Sequence, residues 1–163
     1  MFEPKPIHQA AIPNALKKAE LYRLLGEPAQ AESICYDILR VETDNQPALI
    51  TLLLALTDQF DRGIPINRAQ DLLSRLHGEY ERAYYAGIIY ERKGRAQLTQ
   101  GVPGAKFVAY ELVREAMFWY EKAEAIRPAD NDDATLRWNA CARTISDQRL
   151  EPRVEERPVV TSE

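Results

Sequence analysis

The sequence is poor in the residues that build catalytic and metal centres. Its 163 residues include two histidines, His8 and His77, and two cysteines, Cys35 and Cys141, and none of them falls in a metal-ligand or C-x-x-C spacing. It also lacks glycine-rich phosphate loops and a G-x-S-x-G elbow. We therefore expect a protein that is not an enzyme, with no catalytic residue, no cofactor and no bound metal.

Long apolar runs and an excess of positive charge are missing as well. The longest apolar stretch, ALITLLLAL, covers only residues 48–56, whereas a helix that crosses a bilayer needs about 20. The first residues, MFEPKPIHQAAIP, contain no apolar core of a signal peptide. The net charge is −4, which gives no electrostatic attraction to phosphate backbones. We expect a cytoplasmic protein that inserts into no membrane and binds no nucleic acid, with both thiols reduced.

What the sequence does contain is a repeat of a small residue, a tyrosine and a glycine. The small residue allows two helices to approach closely, and the glycine provides the left-handed residue that ends a helix. The two copies lie 68 residues apart, which is twice a repeat length of about 34. They are Ala19, Tyr22 and Gly26, then Gly87, Tyr90 and Gly94.

Apolar periodicity between glycine and proline breaks predicts seven helices and no strand, hence an all-α chain. The predicted helices cover about 13–25, 28–41, 47–60, 67–77, 79–93 and 105–126, and a last helix that follows DNDD (130–133) and ends near 147. We interpret 1–12 as an irregular lead-in, 13–149 as one helical domain and 150–163 as a disordered tail. Three helices share a small-to-apolar stripe: Ala31, Cys35 and Ile38, then Ala69, Leu73 and Leu76, then Ala116, Tyr120 and Ala123.

On these residues the chain resembles the tetratricopeptide repeat family, as about three degenerate repeats plus a capping helix over 13–146. The third unit closes in EKAEAIRPADN (121–131), whereas the middle unit has Asp58 where the family has a tyrosine. The resemblance implies a right-handed superhelix of antiparallel helix hairpins, a solenoid whose first helices line a concave groove. It also implies binding of proteins or peptides rather than catalysis.

Matching the chain to the repeat of that family indicates which residues would line the groove. The members that clamp a chaperone carboxylate need basic and amide residues there, and this chain lacks them, so we do not expect that activity. The groove is instead expected to be apolar and aromatic with acidic points, through Leu16, Glu20, Leu52, Glu81, Tyr84, Tyr85 and Ile88. Core packing is the other interpretation of the leucines, and only one of the adjacent tyrosines can be fully buried.

The sequence is compatible with two functions. The first is a cytoplasmic adaptor, scaffold or assembly factor, a monomer or weak dimer, that holds a peptide or helix of another protein in the groove. The alternative is an accessory or regulatory subunit that packs on an enzyme or large complex through its convex face and an insertion at 95–112, where Phe107 and Tyr110 form the contact. Arg137, Trp138 and Arg143 on the last helix suit either an anion site or a cover for the end of the stack.

Overall fold

The computed structural model describes residues 1–154, and all regular structure in that range is helical. Residues 1–8 are irregular and a short 3-10 turn covers Gln9–Ala11. The seven α-helices of the described range are α1 (Ile12–Leu24), α2 (Pro28–Val41), α3 (Gln46–Thr57), α4 (Ile66–Gln70), α5 (Glu79–Gln100), α6 (Ala105–Ala125) and α7 (Asp133–Asp147). The prediction of an all-α chain is therefore confirmed for these residues.

Helices that are neighbours in the chain pack on each other. α1 contacts α2, α2 contacts α3, α5 contacts α6, and α6 contacts α7. The short connections between α1 and α2 and between α5 and α6 make these pairs antiparallel hairpins. α3 also touches both α1 and α5, so it joins the two hairpins.

Two predicted helices differ from the structure. α4 is much shorter than predicted and ends at Gln70, followed by a 3-10 turn over Leu73–Arg75. α5 is longer and runs through Gly94 to Gln100, so the prediction that Gly94 ends the helix is wrong. A Cβ on Gly94 would lie 3.1 Å from Cγ2 of Val113, so this glycine serves a close crossing with α6. The predicted GVPG turn is present, with left-handed Gly101 and Gly104.

Gly26, by contrast, ends α1 as predicted. Its φ is +75°, a conformation that glycine adopts without steric cost. The N–H of Glu27 donates to the carbonyl of Tyr22 at 2.8 Å, and that of Gly26 to Arg23 at 3.0 Å. This pair of bonds is the Schellman ending of a helix, and it turns the chain directly into α2.

Two of the predicted stripes lie on helices, α2 and α6. Of the middle stripe only Ala69 lies on α4, because Leu73 is in the 3-10 turn and Leu76 follows it. Eight of the nine residues are buried and Leu73 is half-buried. A Cβ on Gly87 would lie 2.4 Å from a ring carbon of Tyr120, so the missing side chain in α5 makes room for the large one in α6. The small residue of the repeat therefore does allow a close helix crossing in this pair.

The core consists of two clusters that meet at α3 and α5. The first surrounds α1–α4, the second surrounds α5–α7, and Leu54 and Tyr85 touch both. Leu150, which the predicted tail includes, is 4% exposed and packs in the second cluster. Residues 155–163 of that predicted tail lie outside the described range. Within residues 1–154, no helix is long and apolar enough to span a membrane.

Candidate functional site

A cleft of about 330 Å³ opens on the face that α3, α5 and α7 share. Most of its lining comes from α5, at positions that recur on one side of a helix. The lining residues are Leu54 from α3, then Tyr84, Tyr85, Ile88, Glu91, Arg92 and Arg95 from α5, and Arg137 from α7. A smaller cavity of about 170 Å³ shares Arg92 and Arg95 and extends the cleft to Asp58.

Three of the predicted groove residues, Tyr84, Tyr85 and Ile88, lie in this cleft. Leu52 is 2% exposed and belongs to the core, so a partner has no access to it. The other predicted positions lie outside the lining: Leu16 is half-buried on α1, Glu20 is exposed on α1, and Glu81 is half-buried beside Gly78 at the start of α5.

Both cleft tyrosines are half-buried, and they pack edge to face with ring centroids 5.0 Å apart. Tyr84 also stacks on Tyr80 at 5.9 Å. Burial raises the pKa of Tyr84 to about 12 and raises that of Tyr85. At neutral pH the pair therefore offers neutral hydroxyls on an aromatic wall, which suits an apolar or aromatic side chain of a ligand.

Asp58, at the end of α3, lines the smaller cavity that continues the cleft. Its carboxylate accepts from Nε of Arg23 at 2.7 Å and from Nη1 of Arg92 at 2.5 Å. Arg92 also donates to the hydroxyl of Thr57 at 3.1 Å, and burial lowers its pKa. Asp58 thus links the ends of α1 and α3 to the middle of α5 by ion pairs.

Glu91 organises the other end, where α5, α6 and α7 meet. Its carboxylate is 8% exposed and accepts from the hydroxyl of Tyr120 at 2.9 Å, from Nε of Arg137 at 3.1 Å and from Arg95 at 3.0 Å. A second bond joins Arg137 Nη2 to the same carboxylate. The hydrogen bonds with Glu91 raise the pKa of Arg137, so the guanidinium stays charged. Trp138, next in sequence, donates to Glu121 at 3.0 Å and fixes α7 on α6.

The cleft carries an excess of positive charge that the repeat register does not predict. Arginines 92, 95 and 137 line the 330 Å³ cleft together with a single carboxylate, that of Glu91. Asp58 and Asp61 line the smaller cavity beside it. Arg95 remains 63% exposed although it pairs with Glu91, so its guanidinium has donors to spare for a ligand. An aromatic wall beside exposed guanidinium groups can bind a segment that presents an apolar side chain next to a carboxylate.

The predicted insertion, residues 95–112, is mostly helical and does not project as a loop. Residues 95–100 continue α5 and residues 105–112 begin α6. Phe107 is 38% exposed and lines a cavity of about 500 Å³, with the guanidinium of Arg153 5.6 Å from its ring centroid. Tyr110 is half-buried and packs on the second core cluster.

The reactive side chains do not gather in either cavity. His8 and His77 are exposed and far apart in the chain. Cys35 and Cys141 are free and buried, and burial raises the pKa of Cys35 to about 12 and raises that of Cys141. Both thiols are therefore neutral core groups. In residues 1–154, no group of three or more His, Cys, Asp or Glu side chains is placed to hold a metal ion.

Comparisons of the chain with models of protein families, with curated proteins and with solved structures found no match.

Proposed function

We propose that the protein is a non-enzymatic adaptor that binds a peptide segment of a partner protein in the cleft between α3, α5 and α7. The observation that carries the proposal is the cleft itself, with its aromatic wall of Tyr84 and Tyr85 and its arginines. Peptide recognition needs pockets for side chains and fixed charges that set the register. The cleft has both, and its side chains are held by the packing and ion pairs described above.

The proposal includes a stack related to the tetratricopeptide repeat, with a right-handed superhelical sense. It is supported by the two antiparallel hairpins, by the contact of α3 with α1 and α5, and by the matching buried stripes of α2 and α6. In such a stack the first helices α1, α3, α5 and α7 share one face, and the cleft and the Asp58 ion pairs lie on it. A cytoplasmic location is also proposed, because both cysteines are free thiols.

The charges define the segment that suits the cleft best. An apolar or aromatic side chain would lie against Tyr84, Tyr85 and Leu54, and an acidic residue next to it would face Arg95 and Arg137. An acidic rather than basic partner follows from the excess of arginines over carboxylates, because a lysine-rich segment would meet like charges.

The alternative function, an accessory subunit that docks through 95–112, rests on the cavity beside Phe107. Arg153 already lies on that ring, and Tyr110 is packed in the core. A partner at this surface would have to displace Arg153, whereas the α3–α5–α7 cleft is open. The cleft is therefore the better supported site.

Selection from a random-peptide library on the immobilised full-length chain tests the proposal. We expect the recovered peptides to combine an apolar or aromatic residue with Asp or Glu, and to bind the Arg95→Glu variant about tenfold more weakly or worse. The matched control is Lys18→Glu, an exposed charge on α1 outside the cleft, which should bind like the parent. Peptides that bind both variants alike would contradict the assignment of this cleft.

A further inference from the structure

A second and larger groove lies on the opposite face of α5. It has a volume of about 620 Å³, and more of its exposed lining is apolar than polar. The walls are α5 and α6, and the floor at one end is the 3-10 turn after α4. Its apolar lining includes Leu73, Ala83, Ala86, Ile89, Trp119 and Ile126. None of these residues lines the cleft proposed above, so the groove is an independent surface.

The groove lies beside α4, the short helix that follows α3 and packs on it. α2, its counterpart in the first pair, has 14 residues, whereas α4 has 5. The nine residues of difference correspond to about 13 Å of helix, or between two and three turns. Beyond the end of α4, no helix of the described residues covers the groove, and Ile126 remains 45% exposed at its rim. Ala86 and Ile89, at its base, are buried.

The polar groups around the groove are mainly donors. Arg82 and Lys122 line it, and neither forms an ion pair within residues 1–154. The ammonium of Lys122 lies 4.8 Å from the ring centroid of Trp119. The buried indole N–H of Trp119 has no acceptor among the described residues, which marks a wall that this part of the chain does not complete. Glu79 is the single acidic residue of the lining.

We propose that this groove binds one amphipathic α-helix of a partner protein, about three turns long, with an apolar stripe and acidic residues on its flanks. The stripe would lie over Leu73, Trp119 and Ile126, which the chain leaves partly or largely exposed. The acidic flank would face Arg82 and Lys122, which have no carboxylate partner within residues 1–154. Nη1 of Arg82 donates to the carbonyls of Leu76 and His77, so its free donors lie on the rest of the guanidinium. The protein then has two docking faces, one for an extended acidic segment and one for a helix.

Trp119 provides the readout for a test. It is one of two tryptophans, so the full-length Trp138→Phe variant reports on the groove by fluorescence. The probe is a synthetic 14-residue helix with leucines at i, i+4, i+7 and i+11 and glutamates on the flanks. Two control peptides carry the same residues in scrambled order, or lysines in place of the glutamates. We expect saturable binding of the acidic helix, and binding at least about tenfold weaker for both controls.

Two variants locate the binding. Lys122→Glu and Ile126→Ser should each weaken binding of the acidic helix by about three- to tenfold, while Lys18→Glu should leave it unchanged. Equal binding of the scrambled peptide, or an unchanged affinity for Lys122→Glu, would overturn the proposal. So would a change in Trp119 emission that depends on protein concentration alone, which indicates a second copy of the chain in the groove. If 1-anilinonaphthalene-8-sulfonate binds there and the acidic helix does not displace it, the groove is a small-molecule site and the proposal also fails.

Discussion

Replacing Gly87 by alanine is expected to destabilise the protein, although alanine is the better helix former. The new Cβ would lie 2.4 Å and 2.6 Å from Cε1 and Cδ1 of Tyr120, whereas carbon atoms prefer separations of about 3.5–4.0 Å. The ring would have to move by about 1 Å. It is fully buried, and its hydroxyl is held by Glu91 at 2.9 Å, so it has little freedom to do so.

The overpacking of the core and the better helix propensity of alanine act in opposite directions, and their difference gives the expected loss of stability. Overpacking of a core costs about 1–3 kcal/mol, and the rigid position of Tyr120 favours the upper end of that range. Alanine in place of glycine inside a helix contributes about 1 kcal/mol of stabilisation. The free energy of unfolding should therefore fall by about 2 kcal/mol, which lowers the melting temperature by about 4–8 °C for a domain of this size. Thermal and urea unfolding followed by circular dichroism measure both quantities.

Gly94→Ala is the matched control, because its Cβ would meet Val113 at 3.1 Å, a contact that a small shift relieves. It should unfold like the parent or slightly later. A second control is Gly87→Ala combined with Tyr120→Cys, since Cys35 holds the equivalent position in the first pair. The alanine should cost nothing in that background. A Gly87→Ala protein that melts at or above the parent temperature would refute the close crossing of α5 and α6.

Three further predictions test other contacts. Glu91→Ala should lower the free energy of unfolding by about 3 kcal/mol or more in urea titrations, because it leaves the charge of Arg137 and the hydroxyl of Tyr120 without their acceptor; an unchanged value would mean that the network does not hold α7. Gly26→Ala should cost about 1 kcal/mol in the same assay, since alanine must adopt a φ of +75° there; equal stability would show that α1 does not end in a left-handed residue. Burial raises the pKa of Tyr84 to about 12 from about 10 in the unfolded chain, so the contribution of its neutral hydroxyl to stability is complete below about pH 10 and is lost as the pH rises towards 12. The free energy of unfolding should therefore fall above about pH 10, and it should fall less steeply in Tyr84→Phe. Equal slopes of stability against pH in the two proteins would contradict the burial of Tyr84.

Sequence periodicity predicts the local parts of this fold well. The bounds of α2 and the stripe of Ala31, Cys35 and Ile38 depend on residues within one helix, and the structure confirms both. The role of Gly94 is not local. A glycine can end a helix or admit a neighbouring one, and the difference depends on Val113, which only the folded chain brings next to it.

The charged residues of the cleft also depend on contacts between residues that are distant in the sequence. Arg92 and Arg95 follow Ile88 on one side of α5 at helical spacing. Arg92 lies within the predicted helix, whereas Arg95 lies beyond its predicted end at 93, so only a correct end for α5 predicts Arg95 in the groove. The contact between Glu91 and Arg137 spans 46 residues and leaves no periodic signal. The acidic points expected at Glu20 and Glu81 came from the register of the resemblance, and neither residue lines the cleft.

Titration calorimetry of a library-selected peptide into the full-length parent, Tyr85→Glu and Tyr110→Glu tests the central claim most directly. Tyr85 lies in the α3–α5–α7 cleft and Tyr110 lies on the first half of α6, outside the cleft. If the peptide binds in the cleft, Tyr85→Glu should weaken it by about 2 kcal/mol, or roughly thirtyfold, with the fold intact by circular dichroism, and Tyr110→Glu should leave the affinity unchanged. Loss of binding in Tyr110→Glu, with parent-like affinity in Tyr85→Glu, would contradict the claim and assign the contact to 95–112.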